Sequence, residues 1–435
     1  MTLILQTRRQ MLKSTAATTA VLSLARFATF GARADAASGG KDVLGSIDQT
    51  LRQAAEAKDV PGVVAMAATD NGVLYQGAFG SRNLANGSAM TLDSVFWIAS
   101  MSKAITSTAA MQLVEQGKLQ LDQPIGGLLP ELSAPQVLEG FDDKGDPKLR
   151  AAKRPITLRH LLTHTAGFTY DFFNADTARY EKYAQLPPLA SGKNGALRTP
   201  LAFDPGDRWE YGINTDYVGK AVEVASGKRL DAYLHDHILS PLGMVDTGFA
   251  PGPDQQARLV SIHGRAPDGS LAPVDFPLVK DPEFYSGGGG LYSTAHDYLA
   301  FLQMIMRRGT FNGAQILRPE TVAQMSQNQI GDINVPKLWK TIVPQLSNDV
   351  DFSVPFPNQD LKWSLSFLIN TQPGVVGSSA GSLSWAGLAN TYYWLDPTRR
   401  VTGVILTQIL PGTDPLAGRT YGQFQAGVYK ALASG

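Results

Sequence analysis

From Val43 to Ala57, "VLGSIDQTLRQAAEA" repeats apolar residues at helical spacing, which predicts an amphipathic helix ended by Pro61-Gly62. The next stretch, "VVAMAATDNGVLYQGAFG", predicts two strands around Asn71-Gly72, residue types that accept the positive φ of a tight hairpin turn. Towards the other end, "NTYYWLDPTRRVTGVILTQ" predicts a second hairpin turning at Asp396-Pro397, and "YGQFQAGVYKALA" a last amphipathic helix. Helix and hairpin at the start, hairpin and helix at the end, together predict one mainly antiparallel sheet built from both termini. The terminal helices would pack on it.

The middle of the chain has a different period. "SKAITSTAAMQLVEQG", "TLRHLLTH", "NTDYVGKAVEVASG", "RLDAYLHDHILSPLG" and "STAHDYLAFLQMIMRRG" all read as helices, several ending at glycine. The predicted fold is therefore α/β (α+β). An α/β part of about residues 42–100 and 362–435 receives an inserted, mainly helical part of about 101–361. Stretches 171–206 and 331–382 are rich in Pro, Gly and Asn and read as long loops walling a cleft.

Composition narrows the function classes. The chain has 435 residues, 43% hydrophobic and 17% charged, enough for a sizeable core and unlike a disordered chain. Basic and acidic residues number 38 each, and no basic stripe appears, which argues against nucleic acid as a partner. Cysteine is absent, which excludes thiol nucleophiles and thiolate metal sites. Residues 1–34 read as an export signal. "TRRQMLK" is followed by a weakly apolar stretch and by "ARADAAS", similar to a twin-arginine signal cut after Ala34 or Ala36. That stretch is too polar for a stable membrane span, and a periplasmic location is expected. The sequence leaves oligomeric state open.

The candidate chemistry lies in "FWIASMSKAITSTAAMQLVEQG", Phe96 to Gly117, where Lys103 is the only charged residue before Glu115. A lysine inside an apolar, alanine-rich helix either snorkels to water or is held neutral. Ser100 precedes it by three residues, so the two side chains share a helix face. At the start of a helix, free N–H groups and the dipole disfavour a cation and favour an oxyanion. A neutral amine beside the hydroxyl could then take its proton.

That S-x-x-K segment resembles the active-site segment of the serine β-lactamase and penicillin-binding protein superfamily. "ITLRHLLTHTAGF" (Ile156–Phe168), "DPGDRWEYGINTDYVG" (Asp204–Gly219), "PLGMVDTGF" (Pro241–Phe249), "GGGGLYSTAHDYLAF" (Gly287–Phe301) and "LSWAGLANTYYWLDP" (Leu383–Pro397) are similar, in order, to its class C branch. The resemblance implies a β-lactamase/transpeptidase-like fold over about residues 42–430. It implies Ser100 as acylated nucleophile, Lys103 and Tyr211 as proton carriers, either of them the immediate base, and an oxyanion site at the backbone N–H groups of Ser100 and Leu388. It implies no metal and no cofactor.

Two departures bear on substrate. Trp385-Ala386-Gly387 stands where the lactamases have Lys-Thr-Gly, so the charge that would hold a substrate carboxylate is missing. Tyr-x-Asn becomes Tyr211-Gly212-Ile213, with Asn214 one place late; Asn214 is kept as a candidate substrate contact alongside Trp385, Ala386 and Gly387. The Trp-x-Gly form is similar to family VIII carboxylesterases. The expected activity is cleavage of neutral, short-acyl carboxylic esters through an acyl-enzyme on Ser100. Alternatives are a class C-like β-lactamase, a D-amino acid peptidase or a short-oligomer amide hydrolase, and more remotely a non-catalytic envelope binding protein. The G-x-S-x-G match at Gly377–Gly381 reads as a flexible loop, since no histidine follows Ser379 as that triad order requires. His160 and His164, though spaced to bind zinc, read as structural.

Overall fold

The computed structural model describes residues 38–434 except 277, 278, 280 and 281; the segment read as an export signal lies outside them. Helix α1 (Ser38–Glu56) leads into strands β1 (Gly62–Thr69), β2 (Gly72–Asn83) and β3 (Ser88–Ala89). The chain returns much later to the same sheet with β4 (Leu361–Trp363), β5 (Leu368–Asn370), β6 (Leu383–Gly387), β7 (Thr391–Asp396) and β8 (Val401–Leu406). The order is β4-β5-β6-β7-β8-β1-β2-β3, antiparallel at every pairing. Strands from the two ends of the chain thus meet at the centre, where Val64 pairs with Leu406 and Thr69 with Val401.

Strand β1 shows why this sheet is buried on both faces. Val63, Ala65 and Ala67 point to one side, into a core with Ile47 and Leu51 of α1 and with Phe424 and Val428 near the C-terminus. Val64, Met66 and Ala68 point to the other, into the larger core of the helical part. Period-two alternation with no polar face is what a central strand between two layers requires.

The helical part is built around α2 (Ser102–Glu115), whose residues from Ser102 to Leu113 are all buried. Helix α3 (Leu158–Leu162) packs on α4 (Asn214–Ser226), which packs on α2, and α5 (Ala295–Met306) packs on strands β1 and β8. Thr157 and Thr294 cap α3 and α5, and Gly227 closes α4 in the left-handed conformation. The final helix α6 (Pro415–Ala433) starts earlier than its apolar pattern, because Asp414 accepts from the N–H groups of Leu416 and Ala417.

The inserted, mainly helical part also holds a hairpin of Gln136–Phe141 with Pro147–Ala151. Two readings of the sequence are corrected. The stretch 171–206 contains a helix, Ala175–Tyr183, capped by Asn174. The stretch 331–382 supplies β4 and β5, strands of three residues that are too short to show a period among turn-forming neighbours.

The buried histidines make stability fall with acid. His160, His164 and His263 are held below the usual 6.5, each mainly by burial, so the folded chain resists protons that the unfolded chain accepts. This contribution is complete above about pH 6.5 and is lost progressively as pH falls below it. Thermal melts from pH 7.5 to 5 should therefore show a falling midpoint; a flat midpoint would contradict the burial argument.

Candidate active site

Ser100 lies in the single 3-10 turn Ala99–Met101 that opens α2, at the wall of a cleft of about 1650 Å3. Ala99 is held at φ +43, a left-handed conformation costly for any residue with a Cβ. Neighbouring bonds impose it. Ser102 Oγ donates to Ala99 O at 2.6 Å and accepts the N–H of Leu291 at 3.0 Å, while Ile98 N–H donates to Leu291 O.

Lys103 does not snorkel. It is 2% exposed, since α2 is covered on every side. Its Nζ donates to the Gly288 carbonyl at 2.7 Å, and Ser100 Oγ and Tyr170 Oη lie 3.2 and 3.1 Å away. Among the described residues no carboxylate forms an ion pair with it. The amine faces the Tyr211 ring 4.6 Å from its centroid and the Tyr170 ring at 5.4 Å.

Tyr211 is set by backbone and by aromatic packing. The preceding Glu210 N–H donates to His164 O, and the His164 ring packs 4.8 Å from the Tyr211 ring. The Tyr211 hydroxyl accepts the indole N–H of Trp385 at 3.1 Å. Trp385 in turn stands edge-on to Trp363 at 4.5 Å. The one polar hydrogen of the indole is therefore spent within the protein, and towards the cleft Trp385 shows only apolar surface.

Strand β6 alternates buried and half-buried residues, which aims Leu383, Trp385 and Gly387 inward. A Cβ on Gly387 would stand 2.4 Å from Ile98 O, so only glycine lets the strand end reach the turn that carries Ser100. Ala386, Gly387 and Leu388 border the cleft together with Ser100.

Asn214 is elsewhere. Its side chain is fully buried, with Nδ2 3.0 Å from His164 Nδ1 and donating to Phe168 O at 3.3 Å. One residue of displacement on a helix turns a side chain by about a quarter of a turn, here from cleft to core. Asn214 is thus not a substrate contact. The two histidines are structural as expected. His160 closes the capping box of α3 by accepting the Thr157 N–H, and His164 sits among Trp209, Tyr211 and Trp363. Ser379 lies in the loop between β5 and β6, its N–H bound to the Asp396 carboxylate.

Two groups at the site were not foreseen. Tyr170 touches the amine from 67 residues away, out of a stretch without period. Asp216, on the first turn of α4, is fully buried and bonds Ser286 Oγ and Gly288 N–H. An acid at a helix start is an ordinary cap signal, and nothing in the sequence marks this one as turned inward.

The chain is 31% identical to the monacolin J acid methylbutanoyltransferase of Aspergillus terreus over 428 residues, 93% of this chain and 100% of that one. It is 29% identical to a lovastatin esterase of Penicillium rubens over 89% of this chain and 99% of that one. A solved structure of a simvastatin synthase from Aspergillus terreus superposes with a TM-score of 0.79 at 31% identity, covering 91% of this chain and 98% of the other. The family model described as Beta-lactamase matches residues 47–427. With a serine, a buried lysine and a tyrosine gathered at the start of one helix beside the end of strand β6, the chain belongs to the Beta-lactamase family.

Proposed function

We propose that this enzyme of the serine hydrolase and acyltransferase type carries the acyl group of a neutral carboxylic ester on Ser100. It would release that group to water or to a second alcohol. Ser100 Oγ attacks the ester carbonyl, its proton passes to Lys103 or Tyr211, and the backbone N–H groups of Ser100 and Leu388 hold the oxyanion. The same proton protonates the departing alcohol. The acyl-enzyme is then attacked by the incoming hydroxyl, and the proton follows the reverse path.

The observation that carries this reading is the Lys103 amine 3.2 Å from Ser100 Oγ, without an ion-pair partner among the described residues. An amine so placed is free to exchange a proton with the hydroxyl. The cleft supports the choice of substrate. Trp97, Phe172, Phe249, Trp339, Phe352 and Trp385 make its walls aromatic, and Trp385 brings no charge for a carboxylate. Its volume exceeds the roughly 300–1,000 Å3 of a site for a drug-sized ligand, which favours a bulky apolar ester or acceptor. Relatives named as a methylbutanoyltransferase and a lovastatin esterase support acyl transfer and ester cleavage over lactam opening.

The test compares p-nitrophenyl butyrate with a chromogenic cephalosporin, with and without an added alcohol. We expect Ser100-dependent turnover of the ester at least about a hundredfold above the cephalosporin in kcat/KM. An alcohol acceptor should yield a new ester. Strong cephalosporin turnover with an inert ester would overturn the reading.

A further inference from the structure

The buried carboxylate of Asp216 has no place in the steps just described. Its Oδ1 accepts from Ser286 Oγ at 2.7 Å and from Gly288 N–H at 3.1 Å. Its Oδ2 is buried without a hydrogen-bond partner. A Cβ on Gly288 would stand 2.8 Å from that oxygen, so the glycine is what lets the carboxylate come so close. The carbonyl of this same Gly288 accepts from Lys103 Nζ at 2.7 Å. One peptide unit thus has its N–H bound by the acid and its C=O bound by the amine. Trp97 Nε1 holds the neighbouring Gly289 carbonyl at 2.7 Å, and Thr106 Oγ1 holds that of Gly287 at 2.8 Å. The turn from Ser286 to Gly290 is therefore held by four side chains, of which Asp216 is the only acid among the described residues.

A carboxylate buried with an oxygen unpaired is expensive unless a charge compensates it. Burial pushes the Asp216 carboxyl up, and Lys103 opposes that shift. The other groups facing the pair are phenols and one imidazole. Tyr170 and Tyr211 face the amine, Tyr170 and Tyr217 face the carboxylate, and His164 is held neutral by burial.

We propose that Asp216 is a positioning residue for Lys103: through the Gly288 peptide it sets where the amine stands, and its negative charge, one peptide unit away, bears on the amine's proton exchange with Ser100. The proposal rests on the reading of Lys103 as proton carrier for Ser100. A negative charge across one peptide unit favours the ammonium form, so its removal makes the neutral amine available at lower pH.

Asp216→Asn keeps an acceptor for Ser286 and Gly288 and removes the charge; Asp216→Ser also removes the charge, with a shorter side chain that buries no unpaired amide. The pH profile of kcat/KM for p-nitrophenyl butyrate is measured for wild type, both variants and Ser100→Ala, with a thermal melt of each. We expect the acid limb to move down by about one pH unit or more in a folded variant, with KM changed less than about twofold. The plateau of kcat should fall several-fold as the turn loosens. A limb that stays in place while the whole profile scales down would make Asp216 merely structural and overturn the proposal. A wild-type chain with no Ser100-dependent turnover would overturn both this proposal and the functional reading; an active wild type with an unmoved limb overturns this one alone.

Discussion

Lys103→Met is expected to lower kcat/KM for a neutral ester by about a thousandfold or more, with the fold intact. Methionine fills nearly the same volume as lysine and suits a helix that is buried along its length. Packing should therefore survive. What disappears is the amine within hydrogen-bond reach of Ser100 Oγ, the only one there among the described residues. A serine without its base keeps its proton at neutral pH, and nucleophile and base commonly fail as a unit when either is removed. The loss of a donor to the Gly288 carbonyl costs about 1–3 kcal/mol, which removal of a buried amine offsets in part. The check is steady-state hydrolysis of p-nitrophenyl butyrate beside a thermal melt. A folded variant that retains full turnover would remove Lys103 from the chemistry.

Tyr211→Phe is expected to cost about a hundredfold to ten-thousandfold in kcat, the usual range for loss of one acid–base group. The ring should stay in place, because His164, Tyr170, Trp339 and Trp385 surround it whatever its para substituent. The hydroxyl contributes one bond to the fold, as acceptor of the Trp385 indole N–H. Its removal leaves that donor unpaired at a modest cost in stability. If Tyr211 carries protons, kcat falls far more than the thermal midpoint can explain, and KM changes little. A variant with near-normal kcat would leave proton transfer to Lys103, whose amine lies 3.1 Å from the Tyr170 hydroxyl.

The parts of the fold that were legible in the sequence are those whose residues repeat with a period. Val43–Ala57 and the two hairpins contain enough positions for their spacing to show, and the antiparallel sheet built from both termini followed from them. Strands β4 and β5 did not show, because three residues among Pro, Gly and Asn leave no alternation to count. Their existence depends on pairing with β6, a tertiary fact.

The same distinction divides the site. Ser100 and Lys103 are neighbours in sequence as well as in space, so the reading of one implied the other. Tyr211 and the Trp385–Leu388 segment became visible only through resemblance to a family whose motifs lie in a fixed order. Tyr170 and Asp216 reach the amine across 67 residues and through the Gly288 peptide, and no local pattern encodes such an approach. Asn214 shows the converse error. Its residue type suited the task, but a one-place shift at the start of α4 carried its side chain into the core.

The most direct test of the account is the covalent intermediate itself. Wild type and Ser100→Ala are mixed briefly with p-nitrophenyl butyrate, quenched in acid and digested, and the peptides are weighed by mass spectrometry. The account predicts a butyryl group on Ser100 in wild type and none on the Ser100→Ala chain. An acyl group found on another residue, or the same adduct on both proteins, would contradict it.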